Sequence, residues 1–490
     1  MKLALSHGRA GFGLSVFLLA TCAPQTGAQS PTPSSPSESD VDTMRRTQAL
    51  RREARFAPGE VIVKTKRPTL GPGPADKLDL VEVAETSGGE TVYRLRAAER
   101  PTLSKGEVLQ ETLKAIDELR KDPNVEYAEP NYIAWPSGAP SDREFAGQWS
   151  LLPNGTEGAT APGGIGVTKA WEVTKGSTSI VVAVIDTGLV GGHPDLTGGT
   201  NVLPGYDMIA DPKTAKDGDG RDKDPSDPGD GTAADDCLAG DPATPDTWHG
   251  SHVAGIIGAG ATDNVEGIAG INWAVKVLPI RVLGWCGGKT TDIADAVRWA
   301  AGLPVPKAPR NRNPARVINL SLDIAVPCSK TPSLRRAIAD AVAKGALVVA
   351  AAGNYARDAS EDSPASCESE GLLTVAASER RGHLALGYSN FGMTVEILAP
   401  GGDLARDDDR NGVRDGILSL VQGGYRLSEG TSMAAPHVSG VAALLLARNP
   451  NATSVQLRER ITRTALPRSA EQCPRPCGAG LLDAGAALRQ

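Results

Sequence analysis

The first patterned stretch is an apolar run, Gly11 to Ala20, which follows Lys2, His7 and Arg9 and is too short to span a bilayer. Gln29 to Asp42 is rich in Ser and Pro, lacks the apolar content to pack, and reads as a flexible linker. From Phe56 to Trp135 the pattern becomes regular. EVIVKTK and ETVYRLR alternate as strands do, Lys105 to Lys121 places apolar residues at helical spacing, and VEYAEP closes as a further strand. These elements predict a small α+β unit. Beyond it, SIVVAVIDTG, Ser179 to Gly188, is a β-branched apolar run ending at a glycine turn, as a buried parallel strand should. The run VSGVAALLLA, to Ala447, leaves no polar face and predicts a core helix, fed by a loop over Gly430 to His437. A second small-residue helix is expected to open at His249, in Trp248-His249-Gly250-Ser251-His252-Val253-Ala254-Gly255.

These elements carry chemistry at their ends. Ser432 falls where a helix presents unsatisfied N–H groups and its positive dipole end. A lone serine there is ordinarily an N-cap. Asp186 at the edge of a strand would equally suit a nucleotide-binding fold. Taken together, Asp186, His249 and Ser432 are the components of an activated nucleophile: Ser432 attacks, His249 takes its proton and Asp186 fixes the imidazole tautomer. The order Asp, His, Ser is that of subtilisin.

VAVIDTG, HGSHVAG, VVAAAGN and GTSMAAPHVSG resemble, one after another, the motifs of the subtilisin-like serine peptidases, the subtilases, over roughly Gln148 to Ala487. The resemblance implies an α/β three-layer fold with a mostly parallel central sheet, preceded by the small α+β unit, and serine endopeptidase activity (EC 3.4.21.-) on protein and peptide substrates. It gives Asn354 the role of oxyanion donor beside the Ser432 backbone N–H, and leaves His252 and His437 structural. PGEVIVK and NVEYAEPNY resemble the ends of a subtilase propeptide, which implies an intramolecular inhibitor and self-cleavage at Ile133 to Pro140. The expected organisation is a signal peptide over 1–28, a Ser/Pro-rich and basic linker over 29–55, the inhibitory propeptide over 56–135 and the peptidase over 138–490. The chain stops soon after GAGLLDAGAAL, so no C-terminal binding domain is expected. Soluble export is the expectation. Leu19-Ala20-Thr21-Cys22 also resembles an imperfect lipoprotein box, so anchoring through Cys22 is the alternative, as is an inactive subtilase that acts only by binding a partner.

Composition narrows the partners. The net charge is −7, all of it arising after residue 137, and no basic patch points to nucleic acid. No later segment reads as transmembrane, and a monomer is expected. Clustered carboxylates in an exported chain suggest structural calcium. Asp142, Asp195 and Asn264 match subtilase positions that ligate calcium together. Asp407, Asp409, Asn411 and Asp415 fall at loop positions 1, 3, 5 and 9 with Gly412 at 6, as in an EF-hand, although Leu418 replaces the terminal Glu. The acidic insertion Asp211 to Asp241 is a third candidate, without assignable ligands. Seven cysteines less Cys22 leave an even set, which reads as three disulfides. The subtilase frame implies Cys237–Cys286, Cys328–Cys367 and Cys473–Cys477. It also places substrate backbone between Cys286 to Lys289 and Ser321 to Asp323, where Asp323 and Ile324 replace the family's usual glycines. Asp358, Glu361 and Asp362 near the pocket wall suggest tolerance of basic side chains, with solvated loop acids as the plainer reading.

Overall fold

The computed structural model describes residues 56–66, 78–96, 105–132, 140–154, 161–197, 201–258, 262–263 and 266–489. The expected signal peptide and linker, most of the cleavage junction and Asn264 lie outside the described residues. The chain divides into two compact units, residues 1–135 and 136–490.

In the first unit, β1 (Phe56–Thr65), β2 (Leu80–Glu85), β3 (Thr91–Leu95) and β4 (Val125–Tyr132) form an antiparallel sheet in the order β2-β3-β1-β4. Helix α1 (Lys105–Leu119) sets Ala115, Ile116 and Leu119 against Val61, Val63 and Val125. Strand β2 is not among the elements expected from the sequence. It is an edge strand buried at only one of its six positions, so it carries little hydrophobic signature.

The second unit is built on β5 (Val181–Asp186), β6 (Tyr206–Asp207), β7 (Lys276–Arg281), β8 (Val317–Leu320), β9 (Leu347–Ala351), β10 (Leu372–Ser378) and β11 (Ile397–Pro400). These make a seven-stranded sheet ordered β11-β10-β9-β8-β5-β7-β6, parallel throughout. Side chains alternate across a strand, and each face here meets its own helix layer. Val182, Val184, Val317 and Val349 pack with helices α2 (His249–Gly258) and, near the end of the chain, Thr431–Arg448. Ala183, Ile185, Ile318 and Val348 pack with α3 (Thr290–Ala300) and α4 (Pro332–Ala343). Three layers follow directly from that alternation. The hairpin β12 (Ile417–Val421) and β13 (Gly424–Ser428) lies just before the Thr431–Arg448 helix, named α5.

Helix α5 corrects the expected loop over Gly430 to His437: the helix takes in everything from Thr431, with Pro436 inside it. Proline has no N–H to return to the carbonyl four residues back. That carbonyl belongs to Ser432, and Ser321 Oγ, just past β8, donates to it at 2.8 Å. The break in the ladder is thus satisfied from the sheet.

Three disulfides join Cys237 to Cys286, Cys328 to Cys367 and Cys473 to Cys477. The first ties the 211–241 insertion to the segment after β7. Arg281, fully buried at the end of β7, holds the same insertion from beneath, its Nη1 lying 2.6 Å from both Asp207 Oδ2 and Asp217 Oδ2. A buried guanidinium demands such counter-charges.

Candidate active site

The site forms where the carboxyl ends of the central strands meet the N-termini of α2 and α5. Asp186 is the last residue of β5 and is fully buried. Its Oδ1 accepts from the Thr187 N–H at 2.7 Å and from His249 Nδ1 at 2.8 Å. His249 opens α2. Gly250 lets it approach so closely, because a Cβ there would meet the Gly188 carbonyl oxygen at 2.2 Å. Trp248, immediately before, holds a left-handed backbone at φ 53°, a costly conformation for a bulky residue. Burial by itself pulls the His249 pKa down, but the charge and hydrogen bond of Asp186, joined by the charge of Asp230, leave it above its ordinary value.

Ser432 is the second residue of α5, after Gly430, whose φ of 143° few side chains would allow. Its Oγ donates to the Ser321 carbonyl at 3.3 Å while its own carbonyl accepts from Ser321 Oγ, so two reciprocal bonds pin it to the end of β8. His249 and Ser432 line one cleft of about 670 Å³, together with Thr187, Asp230, Ser321 and Asp323. Asn354 follows β9. Its Oδ1 accepts from the Thr431 N–H at 2.8 Å and from Thr431 Oγ1 at 3.0 Å, which fixes the amide with Nδ2 at its opposite end, one residue from Ser432.

Several supporting residues had no signal in the sequence. Thr187 Oγ1 donates to Asp227 Oδ2 at 2.6 Å and accepts from the Gly250 N–H at 3.0 Å, joining strand end, insertion and helix start. Asp230 accepts from both the N–H and Oγ1 of Thr247 at 2.6 Å, two residues before His249. These contacts span 17 to 63 positions, and no local pattern announces them. His252 and His437 are buried. The first donates Nε2 to the Ile417 and Arg426 carbonyls, the second Nδ1 to Met433, and burial lowers their pKa values to about 3 and about 4.

The expected calcium ligands fare differently. Asp142 Oδ2 accepts from the Asp263 N–H at 2.7 Å and Asp195 Oδ2 from the Ile268 N–H at 3.0 Å, so the two carboxylates grip the two ends of one loop. Asp195 Oδ1 is buried with no hydrogen-bond partner, and burial raises the Asp195 pKa. Such an orphaned acid fits a cation. The loop 407–415 departs from the expected EF-hand arrangement. Asp409 and Asp415 face Arg380, at 2.7 and 3.2 Å, Asp407 accepts from the Asn411 and Gly412 N–H groups, and the Asn411 carbonyl oxygen of the side chain accepts from Val413. Arginine supplies the positive charge that calcium was expected to bring. Among the described residues no group of three or more His, Cys, Asp or Glu side chains is arranged to hold a metal.

Comparison with known proteins agrees with this architecture. Residues 177–480 match the subtilase family and residues 42–131 the fervidolysin N-terminal prodomain. The chain is 41% identical over 404 residues to an extracellular protease of Xanthomonas campestris, covering 82% of this chain and 64% of that one. It is 39% identical over 381 residues to an extracellular basic protease of Dichelobacter nodosus, covering 76% and 59%. It therefore spans about three fifths of the length of these relatives. A protease structure from Pseudoalteromonas arctica is similar at 42% identity and a TM-score of 0.63, covering 71% of this chain and 98% of that one. Fold and family matches together define an α/β subtilisin-like domain with a prodomain. The chain belongs to the subtilase family.

Proposed function

We propose that the chain is an exported serine endopeptidase, made as a zymogen that frees itself from residues 56–135. The observation that carries this reading is the Asp186–His249 hydrogen bond set in the same cleft as Ser432. In the proposed reaction Ser432 Oγ attacks the scissile carbonyl and its proton passes to His249 Nε2. Asp186 Oδ1 holds Nδ1–H and stabilises the imidazolium. The carbonyl oxygen, now an oxyanion, accepts from Asn354 Nδ2 and the Ser432 N–H. Collapse passes the proton from His249 to the leaving amine and leaves an acyl-enzyme, which water opens by the same steps in reverse.

Subtilases generally bind structural calcium. Asp142 and Asp195, with Asn264, would hold it here, and its contribution would be to neutralise Asp195 and brace the 262–268 loop. The match to a prodomain supports a propeptide that occupies its own enzyme as inhibitor, and the extracellular relatives support export. Lipid anchoring through Cys22 is the second reading of localisation, and the mass of the mature N-terminus decides between them. Among the described residues no helix is long and apolar enough to cross a membrane. The catalytic reading is tested by Ser432→Ala, which should lose peptide turnover and labelling by a fluorophosphonate; normal turnover in that variant contradicts it.

A further inference from the structure

Asp323 occupies a position where a glycine was expected from the family pattern, and it lines the cleft that contains Ser432 and His249. It lies two residues beyond Ser321, whose carbonyl accepts from Ser432 Oγ. The Tyr355 hydroxyl lies beside its carboxylate, and Tyr355 directly follows Asn354. The pair thus joins the segment that anchors the nucleophile to the segment that carries the oxyanion donor.

Among the described residues no cation forms an ion pair with Asp323. The nearest cation, Arg357, lies over the Tyr355 ring at 4.7 Å, but its Nη2 and Nε hold Asp362 at 2.6 and 3.1 Å and its Nη1 reaches Glu361 at 3.6 Å. That guanidinium is already shared between two other acids. Asp362, expected near the pocket wall and more plainly as a solvated loop acid, is fully buried in that pair and in a bond from Asn390. Elsewhere the charged residues lining the cleft are Asp230, Asp241 and His249, and no lysine or arginine lines it. A carboxylate in a part-buried cleft, with a hydroxyl at its side and no cation, is a site for a cationic side chain.

We propose that Asp323, oriented by Tyr355, is a specificity-determining residue that selects substrates with an arginine or lysine side chain on the acyl side of the scissile bond, the charge of Asp230 and Asp241 extending the preference along the cleft. This rests on the serine peptidase reading of the same site. Burial raises the Asp323 pKa, opposed by the Tyr355 hydroxyl; Asp362 raises it further and Arg357 lowers it. The preference for basic residues should therefore weaken as acid protonates Asp323.

The test uses the mature enzyme and fluorogenic peptides that differ only in the residue before the scissile bond, with active sites counted by fluorophosphonate. The unsubstituted enzyme should favour Arg over Leu in kcat/KM, and Asp323→Asn should lower the Arg/Leu ratio by about tenfold, the size of one hydrogen bond to a charged group. Asp323→Glu should keep the preference. Independently of any variant, benzamidine should inhibit competitively at least ~10-fold more tightly than neutral benzamide, by the same reasoning. A ratio unchanged in Asp323→Asn, a preference for Leu in the unsubstituted enzyme, or equal inhibition by the two amide analogues overturns the proposal. Failure of the fluorophosphonate to label at all would instead overturn the peptidase reading beneath it.

Discussion

At the scale of single residues, the proposed chemistry rests on side chains whose hydrogen bonds leave one functional atom over. Asp186 and the imidazole share one bond, so the other imidazole nitrogen is available for a proton. Asn354 Oδ1 is occupied by Thr431, so Nδ2 is the end left to donate. Asn354→Ala should keep fold and substrate binding but lower kcat by roughly 10²–10³, the magnitude carried over from the oxyanion-hole asparagine of subtilisin. Steady-state kinetics check it, and a loss confined to KM would contradict the assigned role. The four candidate residues could be singled out in sequence because each falls in a short run whose neighbours do local work: a glycine for close approach, small residues at a helix start. Ser321, Thr187, Asp227 and Asp230 were not, since each acts on a partner far along the chain. Asp323 was visible only as a departure from glycine, and its exposure to the cleft had to come from the structure.

At the scale of elements, the hydrophobic pattern gave β1, β3, β4, β5 and the buried helices, while the parallel sheet was implied by the subtilase resemblance; the pattern failed where burial or helix grammar was atypical. Strand β2 is nearly all exposed. Helix α5 runs through a proline that should stop it, because Ser321 replaces the lost bond. Buried α2 and α5 also make the fold acid-sensitive. His252 and His437 are neutral in the folded chain down to about pH 3 and about pH 4, whereas unfolded imidazoles take a proton near their ordinary 6.5. Between those values the unfolded state binds more protons. The stability they contribute is therefore complete above the ordinary histidine pKa and drains as pH falls, by up to about 1.4 kcal/mol per pH unit for each histidine. Denaturant melts from pH 7 to 4 should show the decline. His437→Asn, which can keep the bond to Met433, should flatten it, and an unchanged slope in that variant would contradict the account.

At the scale of the whole molecule, three disulfides and Arg281 tie loops to the central sheet and to one another, and the cation site proposed at Asp142 and Asp195 would brace one more. Asp195 carries the cost there, since its Oδ1 is buried without a hydrogen-bond partner among the described residues while its Oδ2 accepts from Ile268 and Tyr425. EDTA should lower the melting temperature and speed autolysis, and calcium should restore both, by RT ln(1 + [L]/Kd) or about 2.7 kcal/mol at hundredfold excess. Asp195→Asn should abolish the difference, whereas identical melts with and without chelator would remove calcium from the account. The claim on which the rest depends is that Ser432 performs the chemistry, first on its own chain. Its most direct test is the intact mass and N-terminal sequence of the Ser432→Ala chain made in a protease-deficient host, beside the unsubstituted chain. The unsubstituted chain should lose residues 56–135 and take one fluorophosphonate adduct, mapped to Ser432, while Ser432→Ala should keep those residues attached and take none. Normal maturation of Ser432→Ala, with no protease added, would contradict the account.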